Sequence, residues 1–248
     1  MKRLRIGKAH VEVWANAHQL INRAAELFAE TARQVVAEHD SFAVALSGGT
    51  TPRALYEMLA GEVYAPQIPW EEMLVFWSDE RCVPPEADES NYRMAYEAML
   101  ARVPVPVNQI HRMRGEDEPE QAARDYEKLL QEKLGNPPRF DLILLGMGED
   151  GHTASLFPNS PALHDTEHLV AAPYVEKLKA HRLTMTLVTI NAARNVTFLA
   201  TGEAKAATLR AVLEGEKDAR RYPSQLVEPT GGELIWLVDE AAASRLTI

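Results

Sequence analysis

The 248-residue chain has one cysteine, Cys82. A lone thiol forms no intramolecular disulfide and builds no cysteine-based zinc site. No apolar run approaches the ~20 residues that a bilayer-spanning helix requires. The start, Met1-Lys2-Arg3-Leu4-Arg5, is basic but is not followed by the apolar stretch of a secretory signal. Positive charge is in deficit: 26 Lys and Arg stand against 36 Asp and Glu, a net charge of −10. General nucleic-acid binders and anionic-membrane binders carry a basic surplus, so neither kind of partner is expected. No internal repeat, low-complexity tract or Gly/Ser linker divides the chain. We expect a soluble, cytoplasmic protein forming a single domain over residues 1–248. A small anionic substrate remains compatible with this acidity, because two or three local cations can hold one phosphate.

The chain is 46% hydrophobic, ample for a large buried core. Residues 1–40 offer one strand and one long helix. Leu20, Ala24, Leu27, Phe28, Ala32, Val35 and Val36 recur at helical spacing within 16–39. Phe42-Ala43-Val44-Ala45-Leu46 reads as a buried parallel strand ending at Ser47-Gly48-Gly49. Pro52 suits the first turn of a helix running to about Leu59. Further strands are expected at 73–77, 140–145, 169–172, 183–190, 196–200 and 234–238. Helices are expected at 92–100, 120–134 and 204–213. Strands alternating with helices predict an α/β fold of three αβα layers around a mostly parallel sheet. Ligands of such sheets bind outside the carboxyl ends of the strands. The post-strand turns at 47–52, 78–82 and 146–152 are therefore the places to look.

Ser47-Gly48-Gly49-Thr50-Thr51-Pro52 joins a strand to a helix. It reads as a phosphate cradle of free N–H groups and hydroxyls, or as an ordinary tight turn with a threonine cap. It is not a Walker A loop, since no Gly-Lys-Ser/Thr follows. Gly146-Met147-Gly148-Glu149-Asp150-Gly151 matches the G-x-G-x-x-G spacing of dinucleotide sites. We reject that reading. Pro158 and Pro161 break the crossover helix it needs, and Glu149 and Asp150 would repel a pyrophosphate. No nucleotide cofactor is expected.

Asp150-Gly151-His152 instead puts a carboxylate and an imidazole on one tight turn. Histidine, with an ordinary pKa of ~6.5, suits general-base work at neutral pH. The acidic neighbours favour its charged form, so something must restrain them. In Ser78-Asp79-Glu80-Arg81, Asp79 could accept sugar hydroxyls and Arg81 could grip an anion. The same run also reads as a solvated ion pair. Arg182 precedes a strand. Lys205 sits in the first turn of a helix, where a cation opposes the helix dipole, which suggests a bound anion. His164 and His168 lie four apart but on no convincing helix, so no metal site is expected. Trp14, Trp70 and Trp236 read as packing.

Taken together, three segments resemble the 6-phosphogluconolactonase branch of the glucosamine/galactosamine-6-phosphate isomerase family. They are Ser47–Pro52, Trp77-Ser78-Asp79-Glu80-Arg81, and the stretch from Gly146 through His152-Thr153-Ala154-Ser155-Leu156-Phe157-Pro158. The likeness continues through Arg182-Leu183-Thr184, Asn191–Val196, Thr201–Ala206 and Pro223–Val227, so it spans nearly the whole chain in order. The resemblance implies a modified Rossmann-like fold shared with glucosamine-6-phosphate deaminase and ribose-5-phosphate isomerase. It implies metal-free hydrolysis of 6-phospho-D-glucono-1,5-lactone in the oxidative pentose phosphate pathway. On this chain His152 would be the general base; from the turn itself, Asp150 either steadies its cation or serves only to shape the turn. Asp79 and Arg81 would orient substrate, while Arg182, Lys205, Ser47 and the Gly48, Gly49, Thr50 and Thr51 backbone would hold its phosphate. The deaminase branch carries a glutamate five positions after this histidine, where Phe157 stands here. Sensor domains on the same scaffold carry a helix-turn-helix segment that residues 1–40 do not supply.

Overall fold

The computed structural model describes residues 1–247. An N-terminal hairpin, β1 (Lys2–Ile6) and β2 (Ala9–Trp14), turns at Gly7, whose φ of 58° favours a residue without a side chain. In α1 (Ala17–His39), the Asn16 side chain accepts the Gln19 N–H and so caps the helix. Next come β3 (Phe42–Leu46), α2 (Thr50–Leu59), β4 (Met73–Trp77), the short β5 (Asp79–Arg81) and α3 (Asn91–Ala98). They are followed by α4 (Pro119–Leu134) and β6 (Leu142–Gly146). Three short strands then follow: β7 (Val170–Ala171), β8 (Tyr174–Val175) and β9 (Ala180–Met185). The chain closes with α5 (Leu187–Asn191), β10 (Asn195–Ala200), α6 (Ala206–Glu214) and β11 (Glu233–Asp239).

The main sheet has seven strands in the order β1-β2-β11-β10-β6-β3-β4, parallel everywhere except in the β1–β2 hairpin. Its central strands bury both faces, as their unbroken apolar runs require. Phe42, Val44 and Leu46 of β3 pack with α1, α2 and α3, whereas Ala43 and Ala45 face the opposite cluster. β6 repeats the alternation, Leu142 and Leu144 against Ile143 and Leu145. The second cluster is roofed by α4, α5, α6 and a small sheet in which β5 and β7 flank β9 and β8 also pairs with β9. The expected three-layer α/β architecture with a mostly parallel sheet is the one observed.

Three local expectations need correction. The run 183–190 is not one strand. β9 stops at Met185, and Leu187–Asn191 is a short helix with the Thr189 hydroxyl bonded to the Leu169 carbonyl at 2.7 Å. A short apolar run does not distinguish buried strand from buried helix by periodicity. Residues 79–81 of the charged segment are a strand, not a turn, because β9 supplies an antiparallel partner. Residues 1–40 hold two strands, not one. The hairpin adds to β11, where Val11 and Val13 are buried.

Phe198 of β10 and Trp236 of β11 stack with ring centroids 3.9 Å apart, and both are fully buried. Phe198→Ala should therefore cost about 3–5 kcal/mol, read as a lowered denaturant midpoint with an unchanged slope.

Candidate active site

Sheet order reverses between β3 and β6. From β3 the chain moves outward to β4, and from β6 it moves the other way to β10 and β11. A cavity of about 480 Å³ opens at the carboxyl ends of these strands. Every residue expected in the site lines it except Asp150: Ser47, Gly48, Gly49, Thr50, Thr51, Asp79, Arg81, His152, Arg182 and Lys205.

Asp150 sits behind His152. Its Oδ1 lies 2.5 Å from His152 Nδ1 and also accepts the His152 backbone N–H at 3.3 Å. Nδ1 is thereby the proton-bearing nitrogen, which leaves Nε2 as the basic one. The turn is closed by Gly148 N–H to the His152 carbonyl at 2.8 Å and by the Thr153 hydroxyl to the Gly146 carbonyl at 2.9 Å. Phe157 stacks on the imidazole, centroids 4.2 Å apart and planes 23° from parallel. Lys177, from the β8–β9 connection, reaches Asp150 Oδ2 at 3.0 Å. The His152 hydrogen bond and charge, together with Lys177, hold the Asp150 carboxyl well below the usual carboxylate range. Lys177 supplies the cation that the acidic turn required.

The glycines that mimic a nucleotide fingerprint have a different purpose here. A Cβ on Gly148 would lie 2.0 Å from His152 Nδ1 and 2.7 Å from Asp150 Oδ1. Gly151 has φ 81° and lies against Tyr222. The spacing seats an imidazole against bare backbone.

Asp79 is held from two sides. The Ser155 hydroxyl donates to its Oδ2 at 2.7 Å, and Asn91 Nδ2 donates to its carbonyl at 2.9 Å and to its Oδ1 at 3.3 Å. Asn91 begins α3, whose first N–H groups end on buried Glu80: Asn91 and Tyr92 each donate to it at 2.8 Å. Burial pushes the Glu80 carboxyl up from its ordinary value, although backbone N–H groups pull the other way. Glu80 is thus a structural bracket between β5 and α3.

Arg81 and Arg182 are direct partners across the antiparallel β5–β9 pair. Like charges so placed destabilise a sheet. Burial, and then the Arg81 charge, lower the Arg182 guanidinium from its ordinary value. Two cations are thus held together at the wall of one cavity. Gly49, also lining the cavity, has φ 110° and precedes α2, and no side chain caps that helix. The threonine-cap alternative for this turn is therefore not what forms. Thr51 Oγ1 instead meets Thr201 Oγ1 at 2.9 Å. The buried Ser47 hydroxyl has no hydrogen-bond partner among the described residues.

Asn91, Ser155, Lys177 and Thr201 were not expected in the site. Ser155 and Thr201 lie inside motifs that pointed to the family, without a role attached. Asn91 and Lys177 sit on no motif and are brought in by tertiary packing. His168 pairs with Asp165 at 3.0 Å, and no cluster of three metal-ligating side chains occurs among the described residues.

These features place a cavity lined by an imidazole, carboxylates and several cations at the switch point of an α/β sheet. The family model described as glucosamine-6-phosphate isomerases/6-phosphogluconolactonase matches residues 15–236, and the chain belongs to that family. Within it, a 6-phosphogluconolactonase of Synechocystis sp. is 43% identical over 241 residues, covering 95% of this chain and 98% of the relative. The solved structure of 6-phosphogluconolactonase from Trypanosoma brucei matches with a TM-score of 0.85 at 27% identity, covering 98% of this chain and all of that one. A monomeric glucosamine-6-phosphate deaminase matches in fold, with a TM-score of 0.79 at 22% identity over 95% of this chain and 99% of that one.

Gly148→Ala should drive the imidazole off Asp150. The expected result is a fall in kcat larger than any rise in KM, and loss of the downfield Nδ1 proton resonance in NMR.

Proposed function

We propose that the chain hydrolyses 6-phospho-D-glucono-1,5-lactone to 6-phosphogluconate, the lactone-opening step of the oxidative pentose phosphate pathway, as a carboxylic ester hydrolase. One observation carries the reading: a carboxylate-backed imidazole shares a cavity with the opposed cations Arg81 and Arg182. The first suits water activation, and the second suits an anionic substrate.

In this mechanism a water oxygen attacks C1 while His152 Nε2 takes a water proton. A positioned base contributes ~10²–10⁴-fold. The carbonyl π electrons move onto oxygen, and Arg81 stabilises that charge. The tetrahedral species collapses with cleavage of the bond between C1 and the ring oxygen. His152 returns its proton to the departing alkoxide, leaving a carboxylic acid and a free hydroxyl. Asp150 keeps the imidazole in the right tautomer and steadies its cation. Asp79 accepts sugar hydroxyls with the lone pairs that Ser155 and Asn91 leave unused. Arg182, Lys205, the Ser47 hydroxyl and the 48–51 backbone hold the phosphate, turning its binding into orientation at C1. Phe157 puts an apolar ring beside the imidazole. A ring-opening carboxylate stands at that position in the deaminase branch, which supports hydrolysis over aldose–ketose chemistry.

The direct test is a lactone-hydrolysis assay on freshly generated substrate, corrected for spontaneous opening, beside an ammonia assay on glucosamine 6-phosphate. Ammonia release without lactone hydrolysis overturns the proposal. His152→Ala should lower kcat ~10²–10⁴-fold with little change in KM, whereas Lys205→Ala or Arg182→Ala should raise KM first.

The carboxylate supplies a separate check. The His152 hydrogen bond and Lys177 hold Asp150 well below the usual carboxylate range, so it backs the ring as an anion. Asp150→Asn should lower kcat more than it changes KM, because the tautomer is no longer held.

A further inference from the structure

Asp239 ends β11 and is only 6% exposed, yet the chemistry above leaves it without a task. Its two carboxylate oxygens accept the Gly202 N–H at 3.0 and 3.2 Å, and Oδ1 also accepts the Ala242 N–H at 2.8 Å. Gly202 opens the turn after β10. It has φ 91°, and its carbonyl accepts the Lys205 N–H at 3.1 Å, starting the one-turn helix Glu203–Lys205. The orientation of the Gly202 peptide therefore sets the path of the backbone that carries Lys205. On the cavity side of the same turn, Thr201 is joined to Thr51 of α2 by their hydroxyls. The turn is held by the N-terminal end of α2 on one side and by a buried carboxylate on the other.

A carboxylate suits this position for a specific reason. Its charge makes the contacts to both backbone N–H groups charge-assisted, and so stronger than those an amide oxygen in the same place would make. Lys205 is a point charge on a flexible stem, so the turn beneath it decides where that charge can reach. No ion pair or side-chain hydrogen bond occupies Lys205 among the described residues, and it lines the cavity.

We propose that Asp239 is a positioning residue for the anion end of the cavity: it fixes the Gly202 turn so that Thr201 and Lys205 face the 48–51 loop. The ligand it serves is the phosphate monoester of a small sugar acid or lactone, which rests on the function proposed above. Asp239 itself touches no substrate.

The test pairs steady-state kinetics on the phosphorylated lactone with calorimetric binding of 6-phosphogluconate and a thermal melt, for the parent and two variants. Asp239→Asn should raise KM and the 6-phosphogluconate Kd about tenfold, the scale of one displaced charge-assisted contact, with kcat within about twofold of the parent. Gly202→Ala forces a side chain onto a left-handed backbone and should give the same KM-first signature. It also decides the matter if Asp239→Asn does not fold. A lowered melting temperature with unchanged KM and Kd assigns Asp239 to stability alone and overturns the proposal. So does a fall in kcat at constant KM. If the parent binds 6-phosphogluconate without opening the lactone, the proposed reaction fails, while the Kd comparison still decides on Asp239. If the parent binds no 6-phosphogluconate, both fail.

Discussion

The site depends on one close approach: the His152 ring packed against the backbone of Gly148, with Asp150 bonded to its Nδ1. That contact sets the tautomer, and hence which nitrogen is basic. It leaves no room for a Cβ at residue 148. It also draws the Asp150–Lys177 pair and the Phe157 ring into a shell around the imidazole. A tight turn at the end of a buried parallel strand provides such a seat cheaply, because β6 is already rigid and its terminal carbonyl already bonds Thr153.

Charge is distributed to match. The chain carries ten more acidic than basic groups, yet Arg81, Lys177, Arg182 and Lys205 all line one cavity. Arg81 and Arg182 do so as direct cross-strand partners, an arrangement that costs stability in an empty sheet. The acidic groups near them are committed: Glu80 to the start of α3, Asp79 to Ser155 and Asn91, Asp150 to His152 and Lys177. A small anion thus meets a local positive field inside an acidic protein.

Most of the central sheet was legible because its strands are short apolar runs bounded by glycine, proline or charge. Where that signal weakens, the reading failed. Leu187–Asn191 is as apolar as a strand but folds as a helix, with the Thr189 hydroxyl bonded to the Leu169 carbonyl. Asp79–Arg81 reads locally as a charged turn and becomes a strand only because β9, a hundred residues on, pairs with it. The candidate site was legible wherever its residues sit on post-strand turns, as with His152, Asp150 and the 47–51 loop. Lys177 and Asn91 were not, since nothing in their local sequence distinguishes them from surface or helix-start residues.

The sequence by itself determined the layered α/β architecture, the glycine turns after β3 and β6 and the imidazole–carboxylate pair, because all of these follow from short-range periodicity and backbone freedom. Tertiary structure alone decided which side chains from distant turns share a cavity. It set Arg81 against Arg182, carried Lys177 to Asp150 and put Asp239 beneath the Gly202 turn. Those contacts join residues from 27 to 101 positions apart, and their formation depends on strand order and register, which no local pattern encodes.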